Sequence, residues 1–220
     1  MLSADGMAAP MESAEAGSRI ELDAGSQDLS TVTSTTDSGS MREMAAALMA
    51  AQANWINVAG GSWTDAANWE DGHVPVAGDD VTITALDAGA VITATGVTVS
   101  LDGLVTNGKL ALDGSTITVN GDFSAGEISL VNASTLTLTE GAATVSGDVS
   151  LEDVSILQVE GTTQLTQTAG TWALNDAANF KLLGSATFEQ SAGSFEVRNH
   201  SVLHVRNSAA WTISGGEYRL

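Results

Sequence analysis

From about residue 81 onward, apolar residues alternate with Thr, Ser and other small polar residues at a period of two. The segments "DVTIT", "GVTVSL", "KLALDGSTITVNGDF", "EISLV", "STLTLT", "ATVSGDV" and "SILQV" share this pattern, which predicts short strands with one buried face. Gly, Asn and Asp punctuate them every few residues, and no proline follows Pro75 to interrupt a ladder. Helical signal is confined to "SMREMAAALMAAQA" at 40–53, where Ser40 and Glu43 have capping-box spacing and Ala, Leu and Met favour helix. A short helix is expected there. Residues 1–39 carry neither period and are rich in Ser, Thr, Gly, Ala and acids, so a disordered segment is expected.

The strand pattern recurs. "AGTWAL" (169–174), "AGSFEV" (192–197) and "GGEYRL" (215–220) follow one another at 23-residue intervals. Earlier copies read as "NGKLAL" (107–112), "AGEISL" (125–130) and "LEDVSI" (151–156), giving spacings of 18, 26, 18, 23 and 23. The echo of "VNGDF" (119–123) in "VSGDV" (145–149) is in line with the 26. On this register Leu110/Leu112, Ile128/Leu130, Val154/Ile156, Trp172/Leu174, Phe195/Val197 and Tyr218/Leu220 share one face. Ala111, Ser129, Ser155, Ala173, Glu196 and Arg219 take the other. A strand that repeats its inward residues once per coil can stack on its previous copy, rising about 4.8 Å each time. The pattern predicts an all-β fold: a single-stranded parallel β-helix, or β-solenoid, with about three strands per coil. Precedent for such folds gives it a right hand. Variable coil length is absorbed by loops. Trp172, Phe195 and Tyr218 are expected to stack inside successive coils, and Glu196 to pair with Arg219 outside. Because the last repeat ends in mid-strand, further coils are expected beyond residue 220.

Charge narrows the partners. The chain of 220 residues has a formal net charge of −20, and residues 161–220 hold four acids and four bases, so the imbalance lies before them. Seven Lys and Arg in total cannot neutralise a phosphate backbone, which argues against nucleic acid and anionic membranes as partners. The absence of Cys removes disulfides and thiolate chemistry. The N-terminus has no Sec-type signal, and its most apolar run, 44–53, is about half a bilayer span.

One segment departs from this composition: "GSWTDAANWEDGHVPVAGDD" (61–80) gathers two of the five tryptophans and five carboxylates. A solenoid exposes unpaired ladder groups at each end, and repeat arrays cap them. Residues 54–80 lie where an N-terminal cap belongs. Trp55, Trp63 and Trp69 are expected to cover the core, Ala66 and Ala67 to allow close packing, and "DGHVP" to turn the chain. The segment 61–83 resembles G-x-W-x-x-x-x-N-W-x-x-G-x-x-P-x-x-x-D-D-V-x-I, which opens β-helical stretches in large bacterial surface and secreted proteins, adhesin-like and autotransporter-like passengers among them. "MLSADGMA" at the start resembles the end of the LEPR-XLL signature of giant type I-secreted proteins, without its L-E-P-R part. These resemblances imply a longer parent protein, secreted or at the cell surface of a bacterium.

The same segment invites chemical readings. Asp79–Asp80 or Glu70–Asp71 could form an acid/base pair, but neighbours on a strand point to opposite faces. His73 with Asp65 or Asp79 lacks a nucleophile context. Asp65, Glu70, Asp71, Asp79 and Asp80 could supply oxygens to Ca²⁺, but without calcium-loop spacing. His200 and His204, four apart in a strand, would stand roughly 13 Å from each other, too far to share a metal. The expectation is therefore no catalytic, cofactor or metal site, with Asp79 and Asp80 satisfying backbone groups of a turn. Function is expected to be structural or adhesive, with the rest of the chain and surface glycans as partners. The alternatives are a carbohydrate-active β-helix, which fold analogy alone supports, and a two-partner-secreted haemagglutinin, whose N-P-N motif is missing.

Overall fold

The structure, a computed structural model, describes residues 51–84 and 86–219. They form three all-parallel sheets of eight, eight and six strands. The chain visits the sheets in fixed order. Asp80–Ile83, Val91–Thr95 and Thr98–Leu101 make one coil; Gly103–Thr106, Lys109–Asp113 and Thr116–Val119 make the next. Six such coils run to Val202–Val205, preceded by Gln52–Asn54 and Gly60–Ser62 and followed by Ala210–Ile213 and Glu217–Arg219. This is the expected parallel β-solenoid. Among the described residues the only helical element is a single 3₁₀ turn, Ala66–Asn68.

Alternation builds the core. In the first sheet Leu104, Phe123, Ala143, Leu165, Phe188 and Trp211 stack in register. In the second, Leu110, Ile128, Val149, Trp172, Phe195 and Tyr218 do the same. The aromatic stack expected from the 23-residue repeat is present, with ring centroids 6.1 Å apart for Trp172–Phe195 and 6.0 Å for Phe195–Tyr218. Phe180 and Phe188 join it from the other two sheets at 5.7 and 4.9 Å from Trp172. Glu196 and Arg219 are register neighbours, with Nη1 and Oε1 3.7 Å apart. Glu196 is buried, however, and also pairs with Arg198.

The register differs from the sequence reading in one coil. Ile128 and Leu130 pair with Val149 and Leu151, a step of 21 residues, and not with Val154 and Ile156. The matching copy is "GDVSL" at 147–151; Val154 is 57% exposed on a turn, and Ile156 opens a strand of the third sheet. The echo of "VNGDF" in "VSGDV" crosses sheets, since Phe123 pairs with Ala143 in the first sheet and Val149 lies in the second. Short Thr/Val/Gly strands resemble one another whichever face they build, so local similarity cannot assign the sheet. Ser155, expected outside, is fully buried, and its Oγ accepts the Ser134 N–H at 3.2 Å. It belongs to an interior serine row in which Ser134 Oγ in turn accepts the Ser115 N–H at 3.1 Å.

Corners need special backbone. Between the second and third sheets the chain turns through left-handed residues, among them Asn132, Asp153, Asp176 and Asn199. Asn and Asp tolerate that conformation better than most residues, which accounts for their regular punctuation. At the N-terminal end, Gln52 and Ala53, expected to finish a helix, instead pair as strand with Asp80 and Val81. Ladder pairing overrides the high helix propensity of Gln and Ala. Residues 40–50 of the expected helix, and the expected disordered segment 1–39, lie outside the described residues, as does Leu220.

Candidate functional site: the tryptophan lid and the Asp79 corner

The tryptophan segment is both lid and first coil. Gly60–Ser62 already pairs with Val91–Thr93 of the second sheet. Gly60 has φ +83°, and a Cβ there would lie 2.4 Å from the Val91 carbonyl oxygen, so only glycine fits. Past this strand the chain folds back, and Trp55 and Trp69 form an antiparallel bridge. Trp55, Trp63 and Trp69 are 6%, 0% and 2% exposed, and they meet edge to face at 4.9 Å (55–69) and 5.0 Å (63–69). Ala66 and Ala67, expected to pack closely, are exposed on the 3₁₀ turn.

Asn68 is the residue that motif reading named without explaining. It is buried; its Nδ2 donates to Ser62 O at 2.9 Å, and its Oδ1 accepts from Asn57 Nδ2 at 2.9 Å. Its backbone carbonyl accepts the Ile56 N–H at 2.9 Å. One side chain thus ties the two arms of the lid together. The sequence signal was an Asn directly before a buried Trp, but nothing local announced its partners.

The five carboxylates separate. Asp65 Oδ1 accepts the Ala67 N–H at 3.0 Å as the cap of the 3₁₀ turn, and Glu70 Oε2 accepts from Asn54 Nδ2 at 2.8 Å. Asp71 and His73 are exposed, and their side chains make no hydrogen bond to another described residue. Asp79 is 5% exposed, and its Oδ2 accepts the Val76 N–H at 2.8 Å, closing the turn 76–79. Asp80 is exposed and leans over Gly103, where a Cβ would come within 2.6 Å of its Oδ1. The expected turn role therefore belongs to Asp79 alone. Among the described residues no three His, Asp or Glu side chains stand together as a metal-binding group.

The two C-terminal histidines do not share a strand. His200 is in the left-handed conformation at φ 66° in the turn after Asn199, and His204 lies in Val202–Val205. His204 Nε2 is 3.3 Å from Asn179 Oδ1, and Arg206 Nη2 is 3.4 Å from its Nδ1. These are surface contacts between neighbouring rows.

The Asp79 turn also shapes the third sheet. Gly78 N donates to Ser100 O at 2.9 Å, so the loop carrying Pro75, Val76 and Ala77 is tied to the rim of that sheet. Between loop and sheet lies a cavity of about 450 Å³. Its floor is Thr98, Ser100, Thr116 and Thr118, the outward residues of two adjacent strands. A second cavity of about 340 Å³ follows the corner between the first and second sheets, where Gly108, Gly126 and Gly147 sit beside Lys109 and Glu127.

No protein-family model, curated protein or solved structure matches the chain significantly.

Proposed function

We propose that the chain is a structural and adhesive β-solenoid segment of a large secreted or cell-surface bacterial protein, without chemistry of its own. The observation that carries this reading is the placement of carboxylates. Many sit at coil corners or within turns, as Asp113, Asp153, Asp176 and Asp79 do, while the third sheet's first three strands present only Ser and Thr outward. A polysaccharide-cleaving site needs carboxylates facing each other across a substrate. Corner carboxylates spaced along a rod instead keep a long acidic chain soluble and unaggregated. The resemblance of 61–83 to segments that open β-helical passengers supports the bacterial surface assignment, and the partial LEPR-XLL signature supports type I secretion. Partners in this reading are the rest of a longer chain and glycans or other surfaces met outside the cell. Nucleic acid and anionic membrane surfaces are not among them, because seven Lys and Arg in a chain of net charge −20 are too few to neutralise either.

A glycan array and a cell-adhesion assay on the full chain test the proposal. Retention on surfaces or glycans without turnover is the expected result. Depolymerisation of a polysaccharide by the purified chain would replace it with the carbohydrate-active alternative.

A further inference from the structure

We propose that the groove between the Pro75–Ala77 loop and the threonine rows of the third sheet binds a neutral, linear glycan. The inference rests on the adhesive reading and assigns it a site and a ligand class. The floor is a regular hydroxyl array. Thr98 and Ser100 pair in register with Thr116 and Thr118, and these with Thr135 and Thr137 on the next coil. Strand geometry sets the hydroxyls about 4.8 Å apart from rung to rung and about 6.6 Å apart along each strand. Among the described residues, Ser100 Oγ alone of the four floor hydroxyls has a partner, accepting from Asn120 Nδ2 at 3.0 Å. Thr98, Thr116 and Thr118 keep both donor and acceptor for a ligand, which suits a partner that is itself hydroxylated.

The wall supplies the other half of sugar chemistry. The side chains of Pro75, Val76 and Ala77 are apolar; Pro75 is buried, and Val76, 51% exposed, offers the open carbon surface. A pyranose has hydroxyls at its rim and C–H groups on its faces, so floor and wall together match its amphipathic outline. Charge sets the class. None of the residues lining the groove is ionisable, in a chain whose net charge is −20. An anionic polysaccharide would meet repulsion with no compensating cation, and a cationic ligand would find no carboxylate in the groove.

Linearity follows from the open end. Beyond the loop, the array continues onto Thr135 and Thr137, so a chain can run along the solenoid axis. The site is also held ready. Asp79 closes the wall turn from beneath, Gly78 ties it to Ser100, and β-branched threonines have few rotamers to lose. The buried aromatic rings of the core provide no platform in the groove, so a single site is weak and adhesion depends on repetition along the polymer.

The test uses the full chain and isothermal titration with neutral gluco-, manno-, xylo- and chito-oligosaccharides, with oligogalacturonate as the anionic comparison. At least one neutral series is expected to bind with a Kd of about 1 mM, tightening with oligomer length. The double variant Thr116→Val/Thr118→Val keeps shape and strand preference, and is expected to weaken that binding about tenfold. Thr144→Val, outward on the first sheet, is the control and should leave it unchanged. Thermal melts establish that all variants are folded. No binding by any neutral series, binding of oligogalacturonate alone, or equal binding by the folded double variant would each overturn the assignment. If the chain then still adheres to surfaces, the adhesive reading survives without this groove; if it adheres to none, both fall.

Discussion

At the scale of single residues, the lid is held by hydrogen bonds as much as by aromatic area. Asn68→Ala removes the acceptor of Asn57 and the donor to Ser62 from a buried position. It is expected to cost about 2–3 kcal/mol in chemical denaturation, since a buried polar group left unpaired loses its solvation without recompense. The tryptophans should not behave alike. Trp69 Nε1 donates to Trp63 O at 2.8 Å, whereas Trp63 Nε1 is buried without a partner. Both Phe replacements shed similar volume, so Trp69→Phe should be the more destabilising by about 1 kcal/mol. Equal losses would mean that the indole hydrogen bond adds nothing. Tyr218 is the only tyrosine, and burial against the end of the core raises its pKa above the ordinary 10.0. A folded pKa above the unfolded one gives a contribution that is intact below pH 10 and lost as pH rises through the folded value. Phenolate absorbance should therefore appear at higher pH in the folded chain than in urea.

At the scale of elements, corners are where the solenoid departs from pure alternation. Gln167 and Gln190 are inward, fully buried and in register. Gln167 Nε2 donates to Gly170 O at 3.1 Å and to Ser194 O at 3.2 Å, and Gln190 Nε2 donates to Glu217 O at 3.0 Å. Each amide thus staples its own corner to the following coil. Gln167→Leu fits the apolar row but strands those carbonyls, and a loss of about 1–2 kcal/mol is expected. Hydrogen exchange should place the lost protection between Ser194 and Val197, with the lid unaffected. Uniform loss along the whole rod would indicate a general packing defect instead. The period-two pattern announced the strands of the coils after residue 80 but not these polar interior positions, because Gln and Ser read as outward residues until their partners on neighbouring coils are known.

For the whole molecule, nearest-neighbour stacking makes stability a sum over coils, and charge acts against it in the coils before residue 161, where the acid excess lies. The net charge is −20, and carboxylates recur at the corner between the second and third sheets: Asp153 and Asp176 on consecutive coils, and Asp113 two coils before Asp153 with Asn132 between. Raising NaCl from about 0.01 M to about 1 M shortens the screening length from ~30 Å to ~3 Å. The melting temperature, followed by circular dichroism, should rise accordingly. No rise would mean that side-chain contacts at the corners, such as Asn132 Nδ2 to Asp113 Oδ1 at 2.6 Å, already offset the repulsion.

The sequence by itself determined the architecture. Period-two alternation, the repeat ending in Trp172, Phe195 and Tyr218, and the Asn, Asp and Gly corners together specify a parallel solenoid, because each feature is local and recurs. The buried tryptophan cluster near the N-terminal end was legible too, because three large apolar residues stand close together in that segment. Only the tertiary structure decided which strand stacks on which in the coil after Leu130, where "GDVSL" and not "LEDVSI" continues the row. Similar short strands compete for one register, and only the closed coil selects among them. The structure likewise separated Asp79 from Asp80, moved Ser155 inside, and set the Pro75–Ala77 loop against the threonine rows. Those outcomes depend on residues one coil apart, and contacts across a coil leave no mark in the local pattern.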